Sequence, residues 1–258
     1  IIDVSGLRRL GIDEIALRKG HKDFVVVFTD LDQHRLIGMA PARTHAAIKP
    51  VLEMWGTEVL SKIEEVSIDL SGNYRGLVRR MMPTADIVAD RFHVMKVVNQ
   101  ELNQARNAFK RDPADLPDEV SVDEARDALK NSKYALLKPK DNLTETQVSK
   151  LAEVKAVSPK LAQMHRHKEA FRDLFEQTNS DDAILKLLDW MDTAKSLYPK
   201  SVATIGRWFG EIIQYFENRT TSGVVEGINN RLKLIKRSGY GFRNFERFRL
   251  RCLICWHL

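Results

Sequence analysis

Phe24-Val25-Val26-Val27-Phe28-Thr29-Asp30, then Leu31-Asp32-Gln33-His34, then Arg35-Leu36-Ile37-Gly38-Met39-Ala40, is the stretch on which the reading of the fold turns. A β-branched and aromatic run, a polar turn and a second apolar run predict a β-hairpin. On its N-terminal side, Leu10 to Leu17 reads as a further strand around Gly11-Ile12-Asp13-Glu14. On its C-terminal side, Thr44 to Leu60 reads as a helix with Thr44 as its N-cap. Ile63 to Leu70 follows as a strand ending at Ser71-Gly72-Asn73, then a short helix to Met82, stopped by Pro83. Ala85 to Ala89 is the last strand and runs into Asp90-Arg91-Phe92-His93. The order β-β-β-α-β-α-β describes a mixed sheet with helices packed against it, an α/β fold.

After His93 the pattern changes to helices separated by capping signals. One is predicted from about His93 to Lys110, stopped by Asp112-Pro113. Ser121-Val-Asp-Glu124 and Thr144-Glu-Thr-Gln147 are capping boxes, and Ser158-Pro159 is an N-cap with proline at the first helical position. Further helices are expected over Asp181–Tyr198 and Ser201–Asn218, separated by Pro199. Arg111 to Asp118, with two prolines and three acids, is the expected linker. The division that follows is 1–93 as the first part of the sheet domain, 94–218 as a helical insertion, and 219–258 as the last helix with a basic C-terminal segment.

The chain has 258 residues, enough for one large domain or two, and its 43% hydrophobic and 29% charged residues suit a soluble globular protein. No apolar run reaches the length of a membrane span. Cys252 and Cys255 are the two cysteines, which excludes a disulfide scaffold and suits a reducing, cytoplasmic setting. Within the apolar Leu250–Trp256 run they read as small hydrophobes, since one Cys-x-x-Cys is half a zinc site. The chain opens on Ile1-Ile2-Asp3 and reads as an excised domain.

Charge is distributed unevenly. Between Arg219 and Arg251 stand nine Lys/Arg and two acids, a local +7 against +6 for the whole chain. A clustered cationic segment predicts a polyanionic partner. At 100° per residue, Glu226, Asn230, Lys233 and Arg237 share one side of a helix, and Val224, Ile228, Leu232 and Ile235 the other. A carboxylate, an amide and cations presented together suit a phosphate-bearing ligand.

Three acids sit where metal chemistry could use them. Asp13 lies in the first strand, Asp69 ends the fourth, and Glu226 lies on the late helix. Adjacent strands would bring the aspartates together, and the last helix would lay Glu226 beside them. Hard oxygen donors of this kind suit Mg²⁺, and paired ions about 4 Å apart serve phosphodiester chemistry. Singly, each has a plainer reading. Asp69 ahead of Ser-Gly-Asn can serve an Asx turn, Asp13 can be one of two solvated acids beside Glu14, and Glu226 in a first helical turn is favoured by the dipole. Asp90 reads as an N-cap and His93 as a first-turn hydrogen-bonder.

Taken together, the chain resembles the transposases of the ISL3 family of bacterial insertion sequences. The resemblance rests on Gly11-Ile-Asp-Glu14 with Arg18-Lys-Gly-His21, Val66-Ser-Ile-Asp69 followed by Tyr74, and Asp86-Ile-Val-Ala-Asp-Arg-Phe-His93. It continues through Leu136-Leu-Lys and Asn142-Leu-Thr144 to Thr220-Thr-Ser-Gly223, Glu226-Gly-Ile-Asn-Asn-Arg-Leu-Lys-Leu-Ile-Lys-Arg237 and Tyr240-Gly-Phe-Arg-Asn-Phe245. It implies the DDE group, with an RNase H-like mixed β-sheet and flanking helices interrupted by a long all-α insertion before the last catalytic helix. It implies Asp13, Asp69 and Glu226 as catalytic and metal-binding residues, holding two Mg²⁺ ions with Mn²⁺ as substitute. Asp90 and His93 match a further family motif as accessory residues. Asn230, Lys233, Lys236, Arg237 and Arg243 are the expected DNA contacts, with Arg247, Arg249 and Arg251 extending the basic track. The expected activity is metal-dependent DNA cleavage and strand transfer by a homo-oligomer on paired transposon ends in the bacterial cytoplasm. The family's N-terminal Cys-rich and helix-turn-helix modules are missing, so the chain reads as the catalytic portion. A decayed transposase kept for DNA binding or assembly, and an RNase H-like nuclease that cleaves without joining, remain alternatives.

Overall fold

The hairpin forms where its turn residues place it. The computed structural model describes residues 2–17, 24–218, 223–239, 241, 242 and 244–257. Its sheet-bearing elements are β1 (Arg9–Ala16), β2 (Phe24–Asp30), β3 (Arg35–Ala40), α1 (His45–Glu53), α2 (Thr57–Ser61), β4 (Glu65–Ile68), α3 (Gly72–Met81) and β5 (Asp86–Ala89). Asp30 Oδ1 accepts the amides of Asp32 and Gln33 at 3.1 and 3.0 Å, an Asx turn that closes the hairpin, and His34 takes φ 54°. The helices that follow are α4 (Arg91–Arg111), α5 (Val122–Ala128), α6 (Lys133–Leu137), α7 (Glu145–Val157), α8 (Pro159–Leu174), α9 (Ser180–Ala194) and α10 (Pro199–Arg207). The chain ends with α11 (Phe209–Asn218), α12 (Gly223–Ser238) and α13 (Phe245–His257).

The five strands lie in the order β3-β2-β1-β4-β5. β1, β2 and β3 form an antiparallel meander, whereas β4 joins β1, and β5 joins β4, in parallel. The result is the mixed α/β architecture expected. The chain forms two compact units, Ile1–Arg91 with Gly210–Leu258, and Phe92–Phe209. The sheet unit is therefore assembled from both ends of the sequence.

Both faces of the sheet are covered, which explains the nearly unbroken apolar strands. Alternation along β1 sends Gly11, Asp13 and Ile15 to one face, opposite Thr29, Val27 and Val25 of β2. There Ile15, Val25, Val27, Leu36 and Met39 meet Ile228, Leu232 and Ile235 of α12 and Phe248 and Cys252 of α13 in one buried cluster. Cys252 is the small hydrophobe its setting predicted, and burial pushes its thiol up to about 12. On the other face, Phe28 meets Trp55 edge-on at 5.5 Å between ring centroids, and Tyr74 is fully buried.

The helical unit repeats the capping logic of its sequence. Both predicted capping boxes form, and Ser158 accepts from the Leu161 amide ahead of Pro159. Its centre is aromatic, with Phe171, Phe175, Trp190 and Tyr198 in successive ring contacts. Beside them Lys168, fully buried, donates to Glu169 and to the Lys138 carbonyl at 2.9 Å, while Glu169 accepts the Lys140 amide at 3.3 Å. This buried pair staples the Lys138–Lys140 segment to α8.

Three boundaries differ from expectation. The helix expected over Thr44–Leu60 is two helices, because Gly56 takes φ 83°, a left-handed conformation glycine reaches without a Cβ penalty. The helix expected over Ser201–Asn218 breaks at Trp208, whose φ −111° and ψ 17° end α10. α9 stops at Ala194, short of Tyr198. The Arg111–Asp118 stretch is irregular beyond Arg111, but it connects two helices of the same unit. Among the described residues no helix is long and apolar enough to cross a membrane.

Candidate active site

Asp13 sits within β1 on the face covered by α12. Parallel pairing with β4 runs from Arg9↔Glu65 to Ile12↔Ile68, so the next step of the register sets Asp69 level with Asp13. The β4–β5 ladder ends at the same residue of β4, at Ile68↔Ala89, and the Asp90 amide donates to the Ile68 carbonyl at 2.8 Å. Asp13, Asp69 and Asp90 thus form a row across three neighbouring strands, where β4 and β5 reach their carboxyl ends. In open α/β sheets that edge is where ligands bind. β4 stops there because the chain turns at Ser71, whose amide donates to the Asp69 carbonyl at 2.8 Å.

α12 is laid along β1 by three successive contacts. A β-carbon at Gly11 would stand 3.1 Å from Val225 Cγ2. Asn229 Nδ2 donates to Asp13 Oδ2 at 2.5 Å, and Lys236 Nζ donates to the Ala16 carbonyl at 2.8 Å. The eleven steps from Val225 to Lys236 rise about 16 Å in a helix, and the five steps from Gly11 to Ala16 extend about 16 Å in a strand. The two elements therefore stay in step over their shared length. Glu226 lies between the first two contacts, less than one turn ahead of Asn229, and is exposed. Around the helix, Ile228, Leu232 and Ile235 face β2 and β3, then Val225, Asn229 and Lys236 face β1. Continuing the same rotation turns Glu226 away from the β2–β3 side.

The opposite face of β1 carries a second polar group. Tyr74 Oη donates to Glu14 Oε1 at 2.8 Å, and Arg43 lies 3.6 Å from Glu14 Oε2 while its guanidinium stacks on Phe24 at 5.0 Å. Burial first, then the charges of Glu14, Asp69 and Asp13, push the Tyr74 hydroxyl far above the ordinary tyrosine range. Glu14 is therefore a held acid rather than a solvated neighbour of Asp13. Asp13 Oδ1 also accepts the Glu14 amide at 2.7 Å.

This chain matches the ISL3 family of DDE transposases, described as Transposase, over residues 10–252. It belongs to that family. It is 27% identical over 259 residues to the transposase for insertion sequence element IS1557 of Mycobacterium tuberculosis, covering 93% of this chain and 58% of that relative. It is 26% identical over 254 residues to the transposase for IS1001 of Bordetella parapertussis, covering 96% of this chain and 61% of the relative. The chain thus spans about three fifths of the length of these curated relatives. No solved structure gives a significant match.

Within this ISL3 family member, the cationic residues divide by surroundings. Asn230, Lys233 and Arg237 are exposed on α12 with Glu226. Lys236 is half-buried, and burial, then Lys233 and Arg237, draws its ammonium below the usual lysine range. Arg231 stacks on Trp256 at 4.3 Å and donates to the Cys255 carbonyl at 2.5 Å, and Arg249 pairs with Glu246 at 2.9 Å. His93 stands in the first turn of α4, in the helical unit. Arg243, and the expected motif residues Arg18-Lys-Gly-His21, Thr220-Thr-Ser222 and Tyr240, lie outside the described residues.

Among the described residues, no group of three or more His, Cys, Asp or Glu side chains is arranged to hold a metal ion. The donor chemistry at the Asp13–Asp69 row nonetheless fits a hard cation. Asp13 Oδ1 accepts the Glu14 amide and Oδ2 accepts from Asn229, so both carboxylate oxygens are held as the hard donors such a cation takes. Sequence reasoning did not assign Asn229 or Glu14 to this site. The signal for Asn229 was its helical angle, 60° from Glu226 on the β1 side.

Proposed function

We propose that this chain is the catalytic portion of an insertion-sequence transposase that cleaves and joins DNA, with Asp13, Asp69 and Glu226 as its catalytic carboxylates. The observation that carries the reading is the level row of Asp13 and Asp69 beneath the helix bearing Glu226. Strand order β3-β2-β1-β4-β5, with β4 and β5 parallel to β1, supports an RNase H-like core. In that reading residues 1–93 and 219–258 form the core and 94–218 an all-α insertion. Asp90, in the same row, is an accessory acid, and His93 follows it into α4.

Asp13, Asp69 and Glu226 would hold Mg²⁺, or Mn²⁺ in its place, as a pair of ions. When bound, these would supply the charge stabilisation that phosphodiester displacement needs. The residues' own work is to orient the scissile phosphate at the strand ends. Asn230, Lys233, Arg237 and Arg243 hold the DNA backbone beside it, with Arg247 and Arg251 continuing the track. Hydrolysis at a transposon end frees a 3′-hydroxyl. That hydroxyl then displaces at a target phosphodiester, exchanging one P–O bond for another. The protein acts as a homo-oligomer on paired ends in the bacterial cytoplasm.

The test is Asp69→Asn, assayed for cleavage and for joining of pre-cleaved transposon ends with Mg²⁺. Loss of both, with non-specific DNA binding retained, is the expected result. Full activity in the variant removes Asp69 from the triad. Cleavage without joining in the unmodified chain identifies a nuclease, and DNA binding without either reaction identifies an inactive binding protein.

A further inference from the structure

We infer that Asn229 is a positioning residue for this site, fixing the Asp13 carboxylate and the height of Glu226 above the sheet through one side chain. The inference rests on the assignment of Asp13 as a cation ligand. Asn229 lies on the packed side of α12, where its buried neighbours are Val225, Ile228, Leu232 and Ile235. It is 6% exposed. Its Nδ2 donates to Asp13 Oδ2, while its Oδ1 is buried without a hydrogen-bond partner among the described residues. A buried amide with one orphaned acceptor is worse for packing than an apolar side chain of the same shape. Its presence therefore needs a reason at its other end, and that end is Asp13.

The geometry supplies the reason. Asp13 Oδ1 is held by the Glu14 amide and Oδ2 by Asn229, so the plane of the carboxylate is fixed from two sides. The same amide pins α12 at the level of Asp13, and Glu226 is three residues away on that helix. Hydrogen bonds of this kind, made to a ligating carboxylate, govern metal affinity even though their donors never touch the ion.

The experiment measures Mn²⁺ binding to this chain, without DNA, by titration calorimetry, for the unmodified protein, Asn229→Leu, Asn229→Ala and Asp13→Asn. Circular dichroism and thermal unfolding accompany each variant. The expected result is a loss of about 10–100-fold in Mn²⁺ affinity for both Asn229 variants, with secondary structure unchanged and Asn229→Leu unfolding no earlier than the unmodified chain. Should Asn229→Leu fail to fold, Asn229→Ala carries the comparison. Mn²⁺ affinity equal to the unmodified chain in a folded Asn229 variant, while Asp13→Asn loses it, overturns the positioning role and leaves the site assignment standing. Affinity unchanged in Asp13→Asn, or no Mn²⁺ binding to the unmodified chain, overturns the assignment of Asp13 and the inference with it.

Discussion

Gly11 lies directly beneath Val225, where an added β-carbon would meet Val225 Cγ2 at 3.1 Å and Leu31 Cδ2 at 3.0 Å. The helix carrying Glu226 is seated on the absence of a side chain in β1. Gly11→Ala should therefore destabilise the sheet unit by about 1–3 kcal/mol through overpacking. Val225→Ala in the same chain should recover part of that loss, because the two sites touch and their effects will not add. Urea unfolding of the two single variants and the double variant measures the coupling. Additive losses would place the strain elsewhere.

Two buried tyrosines predict a loss of stability in alkali. Burial first, then nearby carboxylates, hold the hydroxyls of Tyr74 and Tyr198 well above the usual tyrosine range. The unfolded chain releases these protons near pH 10 whereas the folded chain keeps them. The stability they confer is whole below about pH 10 and falls as pH rises beyond it. Tyr74→Phe and Tyr198→Phe should each flatten the decline between pH 10 and 11, followed by chemical unfolding at fixed ionic strength. An unchanged slope would mean the hydroxyls ionise freely in the folded protein.

His165 gives the opposite dependence at acid pH. It is buried in α8, and burial, reinforced by Lys168 and Lys155, lowers it to about 3, while Glu169 lies 3.9 Å away. Below about pH 6.5 the unfolded chain binds a proton the folded chain refuses. Stability is complete above that point and is lost as pH falls toward 3, with a limiting slope of about 1.4 kcal/mol per pH unit from this group. His165→Leu should reduce the slope between pH 4 and 6, read from thermal unfolding across that range. Retention of the full slope would assign the acid sensitivity to other groups.

Two lysines three residues apart on α12 should respond differently to removal. Lys233 is exposed, whereas Lys236 is bonded to the Ala16 carbonyl at 2.8 Å. Lys233→Ala should weaken DNA binding evenly across sequences and reduce the salt slope by about 0.9. Lys236→Ala should mainly lower the melting temperature, since it unties α12 from the end of β1. Fluorescence anisotropy on one duplex at several salt concentrations, paired with thermal unfolding, separates the two. Equal salt slopes for Lys233→Ala and the unmodified chain would remove Lys233 from the phosphate track.

Much of the sheet was legible because its signals are local. The Asx turn at Asp30, the β-branched runs and the Ser71-Gly72 stop each act within a few residues, and the strands lie close to where they were read. The break at Gly56 was not legible, since a lone glycine does not announce whether its positive φ will be used. The break at Trp208 was not legible either, since Gly206 and Gly210 flank it without marking which residue ends the helix. Asp13, Asp69 and Glu226 could be picked out as unusual acids, but the register that sets Asp13 beside Asp69 is a tertiary fact. Asn229 and Asn230 are the same residue type and differ in sequence only by about 100° of helical angle. Only the docking of α12 on β1 turns one toward a carboxylate and the other toward solvent.

Because the sheet unit takes its strands from before Arg91 and its closing helices from after Gly210, the order of synthesis matters. A ribosome completes all five strands, with both aspartates already level, long before it reaches Glu226. During that interval Ile15, Val25, Val27, Leu36 and Met39 have no helix to cover them. A chain cut short by a nonsense codon or a frameshift anywhere in the helical unit would keep Asp13 and Asp69 and lose Glu226. Such a chain would leave the apolar side of its sheet uncovered, and an unfinished copy should aggregate rather than persist as a folded fragment.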